Sequence, residues 1–455
     1  MSSRSPKLML AAAVTIFVAV ASGAVDDASV RVAEARGRDV DGVWTDAPFV
    51  VFALQALSAT PLMPDMLPPC ARVAAELDMV LTPGESEPVS FYVFATEPIG
   101  AFEIQAGEFK GSAGALPASC LDIKSVGCWP QAVGAWHSSI RLAPGCQLVP
   151  ELLLNNAAVA DSSVPVADTA KPVATAIQKG YGRQFFATLK APSDAKTGIY
   201  VSELKLVAEG RTAGSLRLNV RVLPFTLPPP KTRYNIQKRY RVLIACAGGL
   251  TRLRGLDGVA NIVFHQVGNT GQTKFENSDF GLYALLLTGE PDRRAASSRH
   301  AAGEEVVAFT APYPGAENPE RWRRAKGVLP YWADYDGALI PGVVDEQHPW
   351  LDPEDGARRS RSLLYDTGEG FIQTLAWVAV IEAVDDVRYF TLLSDLTGKA
   401  IASKRFETIH EGKKAAHWFE LVDSESVDLD TLRLETIAWI LKLQSVLDAE
   451  NGKIR

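Results

Sequence analysis

The sequence predicts a multidomain chain: an N-terminal antiparallel β-sandwich over residues 25–230, an α/β segment over 231–396 and a helical segment over 397–455. Three observations carry that division. Short runs of period-two alternation fill the first half. Three consecutive prolines (Pro228, Pro229 and Pro230) then interrupt the chain, and beyond them strand-like runs alternate with helix-like ones.

The sandwich rests on 89–95 (VSFYVFA), 184–189 (QFFATL), 200–208 (YVSELKLVA) and 216–223 (LRLNVRVL), separated by Gly, Pro, Ser and Asp. Alternation puts every second side chain on a buried face, and regular turn residues return the chain antiparallel. The prolines fix φ and donate no ladder hydrogen bond, so they end this domain as a stiff spacer. A fragment of residues 25–230 is expected to fold alone as a β-rich unit. Beyond the spacer, 261–266 and 306–310 read as buried parallel strands, and 319–332 and 374–396 as helices. Residues 429–447 form a separate amphipathic helix. Its apolar side carries Leu432, Ile437, Ile440, Leu441 and Leu447, with Asp428 or Asp430 as cap.

Composition narrows the functional classes. A chain of 455 residues, 47% hydrophobic and 22% charged, is neither disordered nor collagen-like nor coiled coil. Net charge is −7 and no Lys/Arg stripe is present, which excludes nucleic acid as a partner. With 5 Cys and 6 His and no ligand spacing among them, no metal is expected, and no cofactor. Phosphate loop, nucleophile elbow and HExxH helix are all missing from the sequence.

The first residues point to export. Arg4 and Lys7 precede an apolar run over 8–21, and Ser22-Gly23-Ala24 supplies small residues for cleavage. The run is shorter than the roughly 20 residues a spanning helix takes. Residues 1–24 therefore read as a signal peptide, an uncleaved anchor being the alternative, and the protein as secreted or periplasmic. No membrane contact is expected beyond that segment. Export permits disulfides, so up to two bridges are expected among Cys70, Cys120, Cys128 and Cys146, their pairing open, with Cys246 a buried free thiol.

Several phrases then occur in one order: Pro83-Gly84-Glu85 before the VSFYVFA strand, 149–154 (VPELLL), 191–200 (APSDAKTGIY) and 222–228 (VLPFTLP). Further on come 331–338 (YWADYDGA), 374–377 (TLAW) and 384–389 (VDDVRY). The set resembles bacterial secreted proteins of the glycoside hydrolase family 123 type, over most of 80–230 and 305–445. The resemblance implies a β-sandwich followed by a (β/α)8 barrel, and carbohydrate as partner, in particular a glycan containing N-acetylgalactosamine. It also implies substrate-assisted cleavage. There the sugar's acetamido oxygen attacks the anomeric carbon, an Asp orients that group and the adjacent Glu protonates the leaving oxygen.

Two departures qualify the likeness. A (β/α)8 barrel takes about 250 residues, whereas only about 160 lie between Thr232 and Leu393. The segment therefore reads as an abbreviated TIM-barrel-like α/β domain without its central strands, with degeneracy as an enzyme as one alternative. An open sheet of four or five strands leaves unpaired edges. Cover is expected from the sandwich, from segment 267–305 or from a second copy of the chain. The second departure lies near the VDDVRY phrase, where Ile381 and Ala383 stand in place of the family's Arg and Gly.

Candidate site residues follow from these readings. The sole Asp-Glu dipeptide, Asp345-Glu346, comes after the final strand instead of mid-barrel; it is either a solvated loop or a surrogate acid pair. Tyr313 and Glu317 follow the 306–310 strand directly, where a barrel places ligand groups. Trp332, Trp350 and Trp377 offer faces for sugar rings, with core packing as the alternative. Glu382 and Asp386, four apart on a helix, form a like-charge pair. Either they lie on a solvated face, or a cation or ligand hydroxyl sits opposite. His265 ends a strand-like run and is either a base or a hydrogen-bonded structural residue. A non-catalytic carbohydrate-binding or structural relative is the alternative to an active hydrolase.

Overall fold

The computed structural model describes residues 23–132, 146–161, 167–246, 262–266, 274–277, 282–288, 290–309, 318–340, 362–367, 370–450 and 452. In the first half come α1 (Gly23–Arg38), β1 (Phe49–Leu54), β2 (Glu76–Leu81), β3 (Ser86–Ala95), β4 (Ile99–Ala106), β5 (Phe109–Gly111) and β6 (Gly114–Leu116). They are followed by β7 (Leu121–Ala132), β8 (Cys146–Leu154), β9 (Thr175–Ile177), β10 (Gly182–Lys190), β11 (Gly198–Ala208) and β12 (Arg211–Val222). Past the prolines lie β13 (Arg241–Cys246), β14 (Ile262–Gln266), β15 (Lys274–Asn277), β16 (Leu282–Thr288), α2 (Arg293–Ala301) and β17 (Glu305–Phe309). Then come α3 (Pro319–Arg323), a π-helical turn Arg324–Val328, α4 (Leu329–Trp332), β18 (Gly337–Ile340), β19 (Leu364–Asp366) and β20 (Phe371–Thr374). The helices α5 (Leu375–Ile401), α6 (Phe406–Glu420) and α7 (Leu429–Glu450) finish the chain.

Three sheets stack these elements. The first runs β1-β3-β10-β7-β8-β20-β19, and the second β2-β12-β11-β4-β9 with β5 and β6 beside β11. Phe91, Val93, Phe185 and Ala187 of the first sheet pack on Leu204, Leu206, Leu216 and Leu218 of the second. The opposite face of the first sheet, through Val126, Leu153 and Phe186, packs on Trp322, Trp377 and Val380. One sheet thus serves two cores. That is why β3 is buried without interruption from Val89 to Ala95 instead of alternating. Three of the four sandwich runs fall inside strands and the fourth, 216–223, overruns β12 by one residue; 375–396 lies in α5 with Thr374 as its cap, and 429–447 lies in α7. The β19–β20 hairpin comes from beyond the proline spacer yet extends the first sheet, Gln373 pairing with Leu153 and Thr374 with Leu152.

The third sheet runs β14-β13-β18-β17-β16-β15. Every neighbouring pair is parallel except β15–β16. Its first and last parallel strands in chain order apart from the β14 edge, β13 and β18, lie side by side, as they would in a barrel. Among the described residues the path nevertheless stays open between β14 and β15. Among the described residues six strands are present where four or five were expected, because segment 267–305 itself supplies β15, β16 and α2. Those short strands escape notice because Gly, Asn and Ser surround them.

One sequence expectation is corrected. Cys70, Cys120 and Cys128 are free thiols, so no bridge forms among the four N-terminal cysteines. The left-handed residue of the 331–338 phrase is Asp334, with φ 62°. Gly337 permits close approach of two strands: a Cβ there would lie 1.9 Å from the Arg241 carbonyl oxygen of the paired strand. The tail helix is capped by Asp428, whose Oδ1 accepts from the Thr431 N–H at 2.8 Å. No described helix is long and apolar enough to cross a membrane.

Candidate functional site

A cleft opens on the first sheet, on the side facing the helices. Its larger cavity, about 160 Å³, is lined among others by Tyr92, Cys128, Leu148, Arg183 and Gln184. A smaller one, about 20 Å³, shares Leu62 and Gln184 with it and adds Ser58, Thr60, Pro150, Pro319 and Leu375. Pro319 and Leu375 are the first residues of α3 and α5. The cleft therefore sits where the sandwich meets the helix starts that follow β17 and β20.

Local sequence builds each wall. Tyr92, buried with the sandwich cluster, places its hydroxyl 2.9–3.1 Å from the backbone oxygens of Met63, Pro64 and Met66, to one of which it can donate at a time. That pins the 63–66 loop to the sheet. Asn318 caps α3 by accepting from the Arg321 N–H, and Thr374 caps α5 by accepting from the Trp377 N–H. Gln184 Nε2 donates to Ser90 Oγ at 2.9 Å, while its amide oxygen accepts from no described residue. Burial pushes the Cys128 thiol up to about 12, so it stays protonated and is no nucleophile at neutral pH. A mixed lining of hydroxyls, an amide and aliphatic carbons suits a small polyol better than a flat aromatic ligand.

The sequence-derived candidates separate. Asp345, Glu346, Tyr313, Glu317 and Trp350, and the side chain of His265, lie outside the described residues. Trp377 is 0% exposed in the helical core. Trp332 is half-buried against Phe390 and Phe419, with ring centroids 4.8 Å from each. Glu382 and Asp386 are both buried, which removes the solvated-face alternative for that pair. The groups opposite are cations. Arg323 grips Asp386 at 2.7 and 2.9 Å, and Arg433 reaches Asp386 at 2.7 Å and Glu382 at 2.5 Å. Arg433 also reaches Glu87 of β3 at 2.8 Å, joining sandwich to helices.

Sequence reasoning missed other polar clusters. Lys326, within the π-helical turn, is fully buried, and burial followed by Arg321 pushes it down to about 7. Its Nζ donates to the Leu339 carbonyl at 3.1 Å. At the N-terminal ends of the parallel strands, Asp336 accepts from Tyr234 at 2.5 Å and the Val306 N–H at 2.8 Å, and bonds His300 at 3.0 Å. That end of a parallel sheet is the one where such clusters serve stability. The spacing of Tyr234, His300 and Asp336 gave no local signal, because only the strand pairing brings them together. No group of three or more metal-ligating side chains exists among the described residues.

A scan against models of known families finds no match, and no curated protein matches either. Among solved structures, a PapD-like domain of human CEP192 covers 38% of this chain and 100% of its own at 10% identity and TM-score 0.16. A Bacteroides ovatus GH5 xyloglucanase covers 72% and 51%, at 9% identity and the same TM-score. Both likenesses are too slight to bear on the fold. A family 123 glycoside hydrolase from Clostridium perfringens, described for glycolipid glycan hydrolysis, is similar at TM-score 0.55 and 11% identity over 86% of this chain and 99% of that one. At that identity the likeness establishes a shared multidomain fold.

Proposed function

We propose that this chain is a secreted glycoside hydrolase-like protein that takes a carbohydrate in the cleft between the first sheet and the starts of α3 and α5. The fold shared with a family 123 hydrolase carries the reading. The cleft supports it: Ser58, Thr60 and Gln184 suit sugar hydroxyls, and Leu62, Pro150 and Leu375 suit ring C–H faces. In this reading the substrate class is a glycan containing N-acetylgalactosamine. Glu346 acts as the acid, Asp345 orients the acetamido group, and Tyr313 and Glu317 contact the sugar. Residues 1–24 are removed on export, so the mature protein should begin at Val25, which N-terminal sequencing of the exported chain would check.

One observation favours a second, non-catalytic reading. The third sheet stays open between β14 and β15 among the described residues, and the family's Asp-Glu pair belongs on central strands. The experiment is hydrolysis of a chromogenic N-acetyl-β-galactosaminide by the mature protein. Turnover that falls about 10²–10⁴-fold in Glu346→Gln, the usual worth of a positioned acid, is the expected result. Turnover untouched by that change removes Glu346 from the chemistry, and binding without turnover selects the second reading.

A further inference from the structure

The Arg433 cluster holds more acid than base. Glu85, Glu87, Glu382, Asp385, Asp386 and Asp430 surround Arg323, Arg388 and Arg433. Of these nine, Glu85, Glu382, Asp385, Asp386, Arg323 and Arg433 are buried. Full ionisation would leave excess negative charge in a low-dielectric contact, which such a site resists by keeping protons. The geometry says where. Glu87 Oε2 and Glu382 Oε2 converge on the same Arg433 nitrogen, at 2.8 and 2.5 Å. Two carboxylates so close cannot both ionise easily.

We propose that the Glu87–Glu382 pair, converging on one nitrogen of Arg433, keeps one proton in mild acid, and that this partly neutralised cluster latches the sandwich to α5 and α7. Every element packed there contributes a facing group. Arg433 and Asp430 come from α7, Arg323 from α3, Asp385, Asp386 and Tyr389 from α5 itself, and Glu85 and Glu87 from the sandwich. Burial leads in holding Glu382 up to about 7, against the pull of Arg433 and with Asp385 adding to it. For Glu87 burial leads again, and Glu382 is the next cause. Carboxyls raised in the folded state bind protons that the unfolded chain releases. The latch is therefore closed in mild acid and loosens as pH climbs from the ordinary carboxyl range toward neutrality. Because α3 and α5 also begin at the cleft, loosening would reach the cleft walls, whatever fills them.

Amide hydrogen exchange of the full chain at about pH 5 and about pH 7, corrected for intrinsic rates, tests this. Protection of α7 and of the start of β3 should drop at least about tenfold at the higher pH, one pKa unit's worth. The β11–β12 pair should change less. Glu382→Gln should flatten that pH dependence, and the half-buried Glu87→Gln should do the same if the first variant fails to fold. Protection that is constant or rises with pH overturns the latch, as does pH dependence surviving in a folded variant.

Discussion

Arg433→Met is expected to destabilise the protein by about 3–5 kcal/mol, the cost of stranding buried carboxylates by removing their partner. Arg433 bonds Glu382, Glu87 and, together with Arg323, Asp386, and it also donates to the Glu382 carbonyl at 3.0 Å. Met fills much of the same volume, so the loss reports charge and hydrogen bonds more than a cavity. Denaturant melts of the two proteins measure it. A loss below about 1 kcal/mol, the size of an exposed pair, would mean that the cluster is solvated.

Gly337→Ala is expected to cost at least about 3 kcal/mol, at the upper end of overpacking effects. The obstruction is backbone: the new methyl would meet the Arg241 carbonyl oxygen at 1.9 Å. Neither strand can yield cheaply, because β18 is paired on both sides, Gly337 with Arg241 and with Val307. Asp336, the preceding residue, is also held, its N–H donating to the Val306 oxygen and its carbonyl accepting from the Arg241 N–H. Thermal melting with far-ultraviolet dichroism would show the loss, and a near-native midpoint would show that the strands spread freely.

What was legible in the sequence follows physical range. The strand-like runs of β3, β10, β11 and β12 and the helical runs of α5 and α7 are properties of neighbours in sequence, and their element types were legible, although β3 is buried without interruption where alternation was expected. The β19–β20 hairpin was not, because strands of three and four residues carry too little pattern and their partner, β8, lies more than 200 residues earlier. The same limit governs the charged cluster. Glu382 and Asp386 announce an unfavourable pair locally, but Arg323 and Arg433 that neutralise it arrive from other helices. The cleft shows the limit most clearly. Gln184 belongs to a strand read as ordinary sandwich, and only its meeting with Pro319 and Leu375 makes it a wall of the cleft.

Carbohydrate occupancy of that cleft is tested most directly by saturation-transfer nuclear magnetic resonance with N-acetylgalactosamine and the full chain. Transfer to the sugar with a dissociation constant of about a millimolar, corresponding to about −4 kcal/mol, is expected of a small, shallow site. It should be lost in Gln184→Ala, which removes the amide shared by both cavities. No transfer at tens of millimolar sugar, or transfer undiminished in that variant, would contradict carbohydrate binding in the cleft.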